Sequence, residues 1–513
     1  MMKATILSIC ILSATCALAG DPDVRITQFG ALGDGKTLNT ASIQRAIDSC
    51  AHRGGGSVCI PPGVFVSGAL RLRSNVHLVI ESGGTLLGST RLEDYTIDGR
   101  RVGLLCTQDA ENVTVTGPGT IDGNSDAFME AGRAKKIDSA GSQWTRQKGH
   151  FRELKGGIGD GPLVPKDRPF QMIIFSHCRN VNMCDIRITN SPFWTVHFAD
   201  CDGVRFSGVK IWCDLLVPNN DGADFTSCSD VQISDCDIRT GDDCLVFTGY
   251  SHHFNLPGFE EIRHVSENIT VTNCTLVSRS SAIRIGGFDQ NTMRNYTFSN
   301  LTIDNSNRGI GLFVRDEGSI EYCTFANIII HTRLHTGDWW GNGEPIHLSA
   351  VRLTPGVRLG KIHDVKFQNI ICRSEAGIIL YGSSESVIEN VTFDDVSLQI
   401  VESPLNAIAG GNFDLRPVLD PSLQLFAHDV PGFFAQHVEN LRIRDFDLSW
   451  DSVRAPFFTN GLEVTHFSGL SIDGFRGTGA PCNRAAVPIA ISHGSGYEIH
   501  ADRKTVRTED VEK

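Results

Sequence analysis

Two short segments of this 513-residue chain carry the residue types best suited to acid–base chemistry. The first is Asn219-Asn220-Asp221-Gly222 and the second is Gly241-Asp242-Asp243. Asp221 precedes Asp242 by 21 positions and Asp243 by 22. In a chain that coils with a period in the twenties, this spacing stacks the segments on neighbouring turns and projects three carboxylates from one face. Glycosidic bond hydrolysis needs such a set: one carboxylic acid protonates the leaving oxygen and a carboxylate activates water. Repulsion within the group keeps at least one member protonated near neutral pH, which supplies the acid.

The elements that would position these residues repeat along the sequence. A polar corner residue followed by an alternating apolar strand recurs as Asn112-Val113-Thr114-Val115, Asn180-Val181-Asn182-Met183, Asp230-Val231-Gln232-Ile233, Asn268-Ile269-Thr270-Val271, Asn390-Val391-Thr392-Phe393 and Asn440-Leu441-Arg442-Ile443. Several intervals in the full series run from 23 to 27 residues. Self-similarity at that period marks a solenoid, and alternating Val, Ile, Thr and Phe with Gly, Asn or Asp corners makes its unit a strand. The Leu-x-x-Leu-x-Leu signature of leucine-rich repeats is absent, so the pattern predicts an all-β, single-stranded parallel β-helix in which no coil is stable alone. Ile43, Ala46, Ile47 and Cys50 fall on one face of a short helix, capped by Asn39 or Thr40, that would cover the first coil.

Composition narrows the class. The net charge of −13 argues against a nucleic-acid partner. Lys3, the apolar run Ile6 to Leu12 and Ala17-Leu18-Ala19 together resemble an export signal, which divides the chain into a signal at 1–19, one β-helix unit at 20–480 and a C-terminal tail at 481–513. That reading makes the protein secreted or periplasmic, free of the membrane, and a monomer. Cys178, Cys201 and Cys228 each stand three residues before a strand-opening Val, and Cys236 and Cys274 six residues after a corner. Recurrent positions predict buried thiol ladders. No Cys-x-x-Cys pair suggests a metal, and no cofactor is implied.

From about Val24 to about Leu448 the chain resembles the polygalacturonase family of glycoside hydrolases (family 28-like), the pectin-degrading right-handed β-helices. Ile26-Thr27-Gln28-Phe29-Gly30-Ala31-Leu32-Gly33-Asp34-Gly35, Gly55 to Gly63 and Asn190-Ser191-Pro192-Phe193-Trp194 are similar to family segments. The specific match is Asn219-Asn220-Asp221-Gly222 followed by Gly241-Asp242-Asp243, with Asn220 where the family carries Thr. The resemblance implies that Asp242 is the general acid, that Asp221 and Asp243 hold and deprotonate water, and that the reaction inverts anomeric configuration. Two family motifs are missing. Ser280 to Gly287 holds no histidine where Gly-His-Gly is expected, and Gly311 and Phe313 stand where an Arg and a Lys grip the galacturonate carboxylate. Arg284 and Arg315 are candidate replacements, since a guanidinium grips a carboxylate bidentately, or each pairs with a neighbouring acid such as Asp289 or Asp316.

Further candidates lie on loops. His252 and His253 follow the Gly-Asp-Asp segment closely enough to reach the site. Residues 132–168 hold nine basic residues against four acidic ones, a balance that would steer an anionic polysaccharide. Trp339 and Trp340, flanked by glycines, suit stacking on sugar faces or plugging a gap between loop and coil. Glu344 is a reserve carboxylate. The expected activity is therefore hydrolysis of pectin or a related acidic plant or algal glycan, with rhamnogalacturonan among the candidates. A calcium-dependent β-helix lyase and a non-catalytic glycan binder remain as alternatives.

Overall fold

The computed structural model describes residues 24–137, 139–154, 156–251, 262, 265–501 and 505–512. The expected signal at 1–19, and His252 and His253, lie outside them. Three strands build each central coil. Ile173–Ser176, Val196–Ala199, Ala223–Thr226 and Leu245–Thr248 stack as one parallel column. Arg179–Cys184, Asp202–Ser207, Ser229–Ser234 and Ser266–Thr272 form a second. Arg187–Thr189, Lys210–Trp212, Asp237–Thr240 and Thr275–Ser278 form the third. Each strand pairs with its counterpart one coil on rather than with its sequence neighbour, and parallel crossovers of this kind are right-handed. The chain is a right-handed parallel β-helix.

Like side chains stack in its interior. Phe175, Phe198, Phe225 and Phe247 lie face to face with successive ring centroids 5.2, 5.0 and 5.5 Å apart. A second ladder, Phe298, Phe325, Phe367 and Phe393, runs at 4.7, 4.8 and 4.8 Å. Cys178, Cys201 and Cys228 are fully buried free thiols at one corner of successive coils. The corner asparagines adopt left-handed backbone, which Asn tolerates. Their amides bond from coil to coil, as in Asn112 to Asn75 at 2.9 Å and Asn180 to Asn112 at 2.7 Å.

The helix Thr40–His52 buries the four predicted residues over the first coil. Asn39 precedes it without capping it: its amide is taken by Leu32 N–H (2.7 Å) and by the carbonyls of Leu32 and Thr37. Thr40 Oγ1 accepts from Gly68 N–H at 2.7 Å. At the other end the boundary at 480 needs correction. Ile489–His500 pairs in parallel with Leu462–Asp473, and Val506–Glu512 pairs with Ile489–His500, so the segment read as a tail adds two rungs. Its polar outward positions hid them: Ile489–His500 turns few large apolar residues inward. Among the described residues no helix is long and apolar enough to cross a membrane.

Candidate active site

The two aspartate-bearing turns are set by strand register. Ala223 pairs with Leu245, which puts Asp221 and Asp243, each two residues earlier, on facing corners of adjoining coils. Gly222 N–H donates to Asp243 O at 2.9 Å and Thr195 N–H to Asp221 O at 2.8 Å. A Cβ on Gly222 would lie 2.4 Å from the Cys244 carbonyl oxygen, so only glycine lets the coils close here. Asn219 sits in left-handed backbone with φ 55°. Asn220 staples the two turns. Its Oδ1 accepts from Gly241 N–H (2.7 Å) and Asp242 N–H (3.2 Å) while its Nδ2 donates to Asp214 O (2.8 Å).

One carboxylate oxygen from each of Asp221, Asp242 and Asp243 lies within 4.8 Å of the others. They line a pocket of about 230 Å³ together with Asn219, Arg284, Trp339, Trp340, Lys135, Trp194 and Tyr250. The three acids are held differently. Asp243 is buried, accepts from Ser281 N–H at 2.7 Å and faces Arg284 Nε at 3.1 Å, the partners a carboxylate anion takes. Asp242 is half-buried and accepts from Asn219 N–H (3.2 Å) and Asp243 N–H (3.1 Å). Burial, and then the neighbouring Asp243, push its carboxyl up to about 7 against the opposing pull of Arg284. Asp221 is buried with its Oδ1 lacking a hydrogen-bond partner, and burial followed by Asp242 raises its carboxyl well above the usual range. One guanidinium among this many carboxyls leaves protons on the site at neutral pH.

The other sequence candidates divide. Asn219 and Arg284 reach the pocket, but Arg284 serves Asp243 rather than an open subsite. Arg315 does not reach it. It is fully buried, donating to the carbonyls of Val314, Ser349, Leu415 and Pro417 and to Ser349 Oγ at 2.7–3.0 Å. Phe313 fills the space beside Gly311, where a Cβ would meet its ring at 2.6 Å, and its ring lies between the guanidinia of Arg308 and Arg315 at 4.8 and 5.3 Å. Glu344 is buried in an ion pair with Arg308 (2.6 Å) and accepts from Asn342 N–H (2.6 Å), so it is a strut and not a reserve acid. Trp339 is buried with Nε1 donating to Asp160 O at 3.0 Å, which plugs the gap between the two loops; Trp340 is half-buried and offers the pocket its ring. A Cβ on Gly337 would lie 1.5 Å from the Gly161 carbonyl oxygen, so the loops meet there backbone to backbone.

The basic loop also works differently from the expected steering surface. Arg152 is buried, donating to the carbonyls of Trp339 (2.6 Å) and Gly341. Arg168 donates to Pro192 O (2.8 Å), Pro218 O (2.7 Å) and Asn219 Oδ1 (2.8 Å), which locks the first catalytic turn. Lys135 alone of these lines the pocket, 2.9 Å from Asp338. Sequence reasoning missed three members of the site. Asp224 is buried within the strand next to the Asp221 turn, and burial drives its carboxyl well above the usual range although Arg284 opposes this. Tyr250 carries no sequence signal, and Lys135 enters the sequence reading only as one charge of the basic loop. Only Asp224 left a signal, since a charged residue three positions after Asp221 within an apolar strand is out of pattern.

A right-handed β-helix with three clustered aspartates on adjoining corners defines a class of carbohydrate-active scaffold. Within it, this chain belongs to glycosyl hydrolases family 28, whose profile matches residues 50–409 and so includes every residue of the site. It is 29% identical over 252 residues to an exo-poly-alpha-D-galacturonosidase of Dickeya chrysanthemi, covering 44% of this chain and 41% of that one. It is 27% identical over 242 residues to an endo-polygalacturonase of Pectobacterium carotovorum subsp. carotovorum, covering 44% and 54%. The chain thus matches about half the length of these curated relatives or less. The crystal structure of a hyperthermoactive exopolygalacturonase from Thermotoga maritima shares the fold with a TM-score of 0.60 at 22% identity, covering 84% of this chain and 92% of that one.

Proposed function

We propose that this protein is an exported glycoside hydrolase that cleaves a pectin-type polysaccharide. The observation that carries the reading is the unequal treatment of three carboxyls whose oxygens lie within 4.8 Å: one held up at about 7, one facing a guanidinium. Asp242 supplies the proton to the leaving glycosidic oxygen as the bond from that oxygen to the anomeric carbon breaks. Asp243, with Asp221 beside it, holds the attacking water. The water oxygen bonds to the anomeric carbon and its proton passes to Asp243. Proton exchange with solvent then restores both groups.

The oxygens approach more closely than the roughly 6.5–9.5 Å usual for inverting carboxyl pairs, so the water must lie against Asp221 and Asp243 rather than across a wide gap. Stereochemistry is therefore a sharp test. Proton NMR of early product should show the anomeric configuration opposite to that of the substrate; retention would remove the water-activating role of Asp243.

The reading extends to specificity. Among the described residues the two cations lining the pocket, Arg284 and Lys135, each already face a carboxylate, Asp243 and Asp338. Phe313 occupies the place where the family resemblance expects a carboxylate-gripping cation. A sugar carboxylate entering this subsite would meet acids without a free partner, which is costly. The favoured sugar at the cleavage subsite is therefore uncharged, as in a backbone that alternates uronate with a neutral sugar. Reducing-end release compared on polygalacturonate and rhamnogalacturonan oligosaccharides checks this. Efficient cleavage of polygalacturonate, abolished in Arg284→Ala, would sink it. Products that absorb in the ultraviolet, or activity abolished by a chelator, would point instead to a lyase.

A further inference from the structure

The outer face just before the catalytic corner carries an exposed tryptophan ringed by cations. Trp212 ends the strand Lys210–Trp212 and keeps 38% of its surface open. Arg239 on the next coil, Arg187 on the previous coil and Lys210 two residues earlier place their charges 5.1, 5.5 and 5.8 Å from its ring centroid. Strand register explains the grouping: Arg187 pairs with Lys210 and Trp212 with Arg239, so the four side chains occupy neighbouring outward positions on three consecutive coils. Arg239 is held by Asp237 through two contacts of 3.0 and 3.1 Å. Arg187 and Lys210 form no ion pair among the described residues, in a chain with 59 acidic residues against 46 basic ones. Three cations thus stand around the exposed indole against one carboxylate, Asp237, which leaves a local excess of positive charge on an acidic protein.

We propose that Trp212, Arg187, Lys210 and Arg239 form a second, non-catalytic binding surface for a uronate-bearing polysaccharide chain. The exposed part of the indole offers apolar surface to a sugar, and the cations stacked on it meet carboxylates on neighbouring sugars. Placement gives it a use. The strand Asp237–Thr240 runs directly into Gly241-Asp242-Asp243, and Thr240 Oγ1 donates to Asp242 O at 2.6 Å. Trp212 stands nine residues before Asp221 on the preceding coil. A polymer lying on this face is held beside the corner that carries the three aspartates. The inference rests on the proposed acidic substrate class, and it reconciles an acidic polymer with a cleavage subsite that has no free cation among the described residues: the charge is recognised away from the scissile bond.

The test is affinity electrophoresis of full-length Asp242→Asn protein, which binds without turnover, in gels containing polygalacturonate, rhamnogalacturonan or neutral galactan. Retardation is expected in both acidic gels and not in galactan, and it should weaken as salt rises. Adding Trp212→Ala with Lys210→Ala should weaken retention in the acidic gels at least about fivefold, the size expected for losing one stacking contact and one close charge. Adding Trp212→Phe alone should retain most of it. Unchanged retention in the double substitution, or equal retention by galactan, overturns the proposal. Hydrolysis by the wild-type protein is measured separately, so loss of this surface and failure of the proposed activity give different results.

Discussion

Two buried charge clusters in this molecule have opposite designs. Under the Trp339–Trp340 loop, acids and guanidinia are matched. Glu344 meets Arg308, His347 and Asn342 N–H; Asp414 meets Arg416 and Gly341 N–H. Arg416 also reaches Asp338 at 3.3 Å and the Trp339 carbonyl at 2.7 Å. Burial works against the Glu344 and Asp414 carboxylates, but the surrounding cations more than offset it and hold both below the usual range. At the catalytic corner the ratio is reversed. Asp221, Asp224, Asp242 and Asp243 surround Arg284, buried oxygens of Asp221 and Asp224 lack hydrogen-bond partners, and burial drives carboxyls up. The same residue types make a strut where charges are paired and a proton store where they are not.

The comparison breaks if the two clusters respond alike to substitution. The largest effect is expected at the unpaired one. Asp242→Asn keeps the shape and one of the two backbone hydrogen bonds, since its NH2 cannot accept the other, and it cannot deliver a proton, so turnover should fall by about 10²–10⁴ with the fold intact. A folded variant with wild-type rate on the identified substrate would remove Asp242 from the chemistry. At the paired cluster the damage should be to stability. Arg308→Ala leaves Glu344 buried without its cation and should cost about 3–5 kcal/mol, read from denaturant unfolding. The double substitution Arg308→Met with Glu344→Gln should recover part of that loss. No recovery would mean that Arg308 acts through Phe313 and not through Glu344.

These two clusters also show what a sequence exposes. The clustering of the three aspartates was legible because the period of the solenoid supplied the ruler for their spacing. The β-helix and its capping helix were legible for the same reason: alternation and corner residues are local signals. The partners of Arg315 and Glu344 were not legible. Arg315 is held by Leu415 and Pro417, about a hundred residues away on a loop outside the repeat, and no periodicity reports such contacts. Arg152 and Arg168 looked like a steering charge for the same reason, since their carbonyl acceptors carry no sequence signature. Pairing of Arg284 with an acid was one of two readings, but its partner was not legible because Asp243 precedes it by a whole coil. The last two rungs were missed because their inward residues are few.

A smaller effect separates the clusters by pH. Asp289 is buried beside the catalytic corner, accepts from Gly249 N–H at 2.5 Å and leaves its other oxygen without a hydrogen-bond partner. Burial pushes its carboxyl from 3.8 up to about 7, although the Gly249 N–H and Arg284 oppose this. Between those values the folded protein holds a proton that the unfolded chain releases. The stabilising contribution is thus fully present below about pH 4, is lost as pH rises towards 7, and changes little above that. Asp289→Asn has no such proton. Its melting temperature relative to wild type should therefore rise from pH 4 to pH 7 and level off, by a few degrees at most in a chain of this length. Asp414→Asn should do the reverse: its carboxyl is held low by cations, so removing the charge harms the protein most at neutral pH and least in acid. Turnover should follow the catalytic cluster, falling as pH rises through about 7 and Asp242 loses the proton it must donate. Melting curves of Asp289→Asn and wild type that run parallel from pH 4 to pH 8 would show that Asp289 is not a protonated member of the catalytic corner.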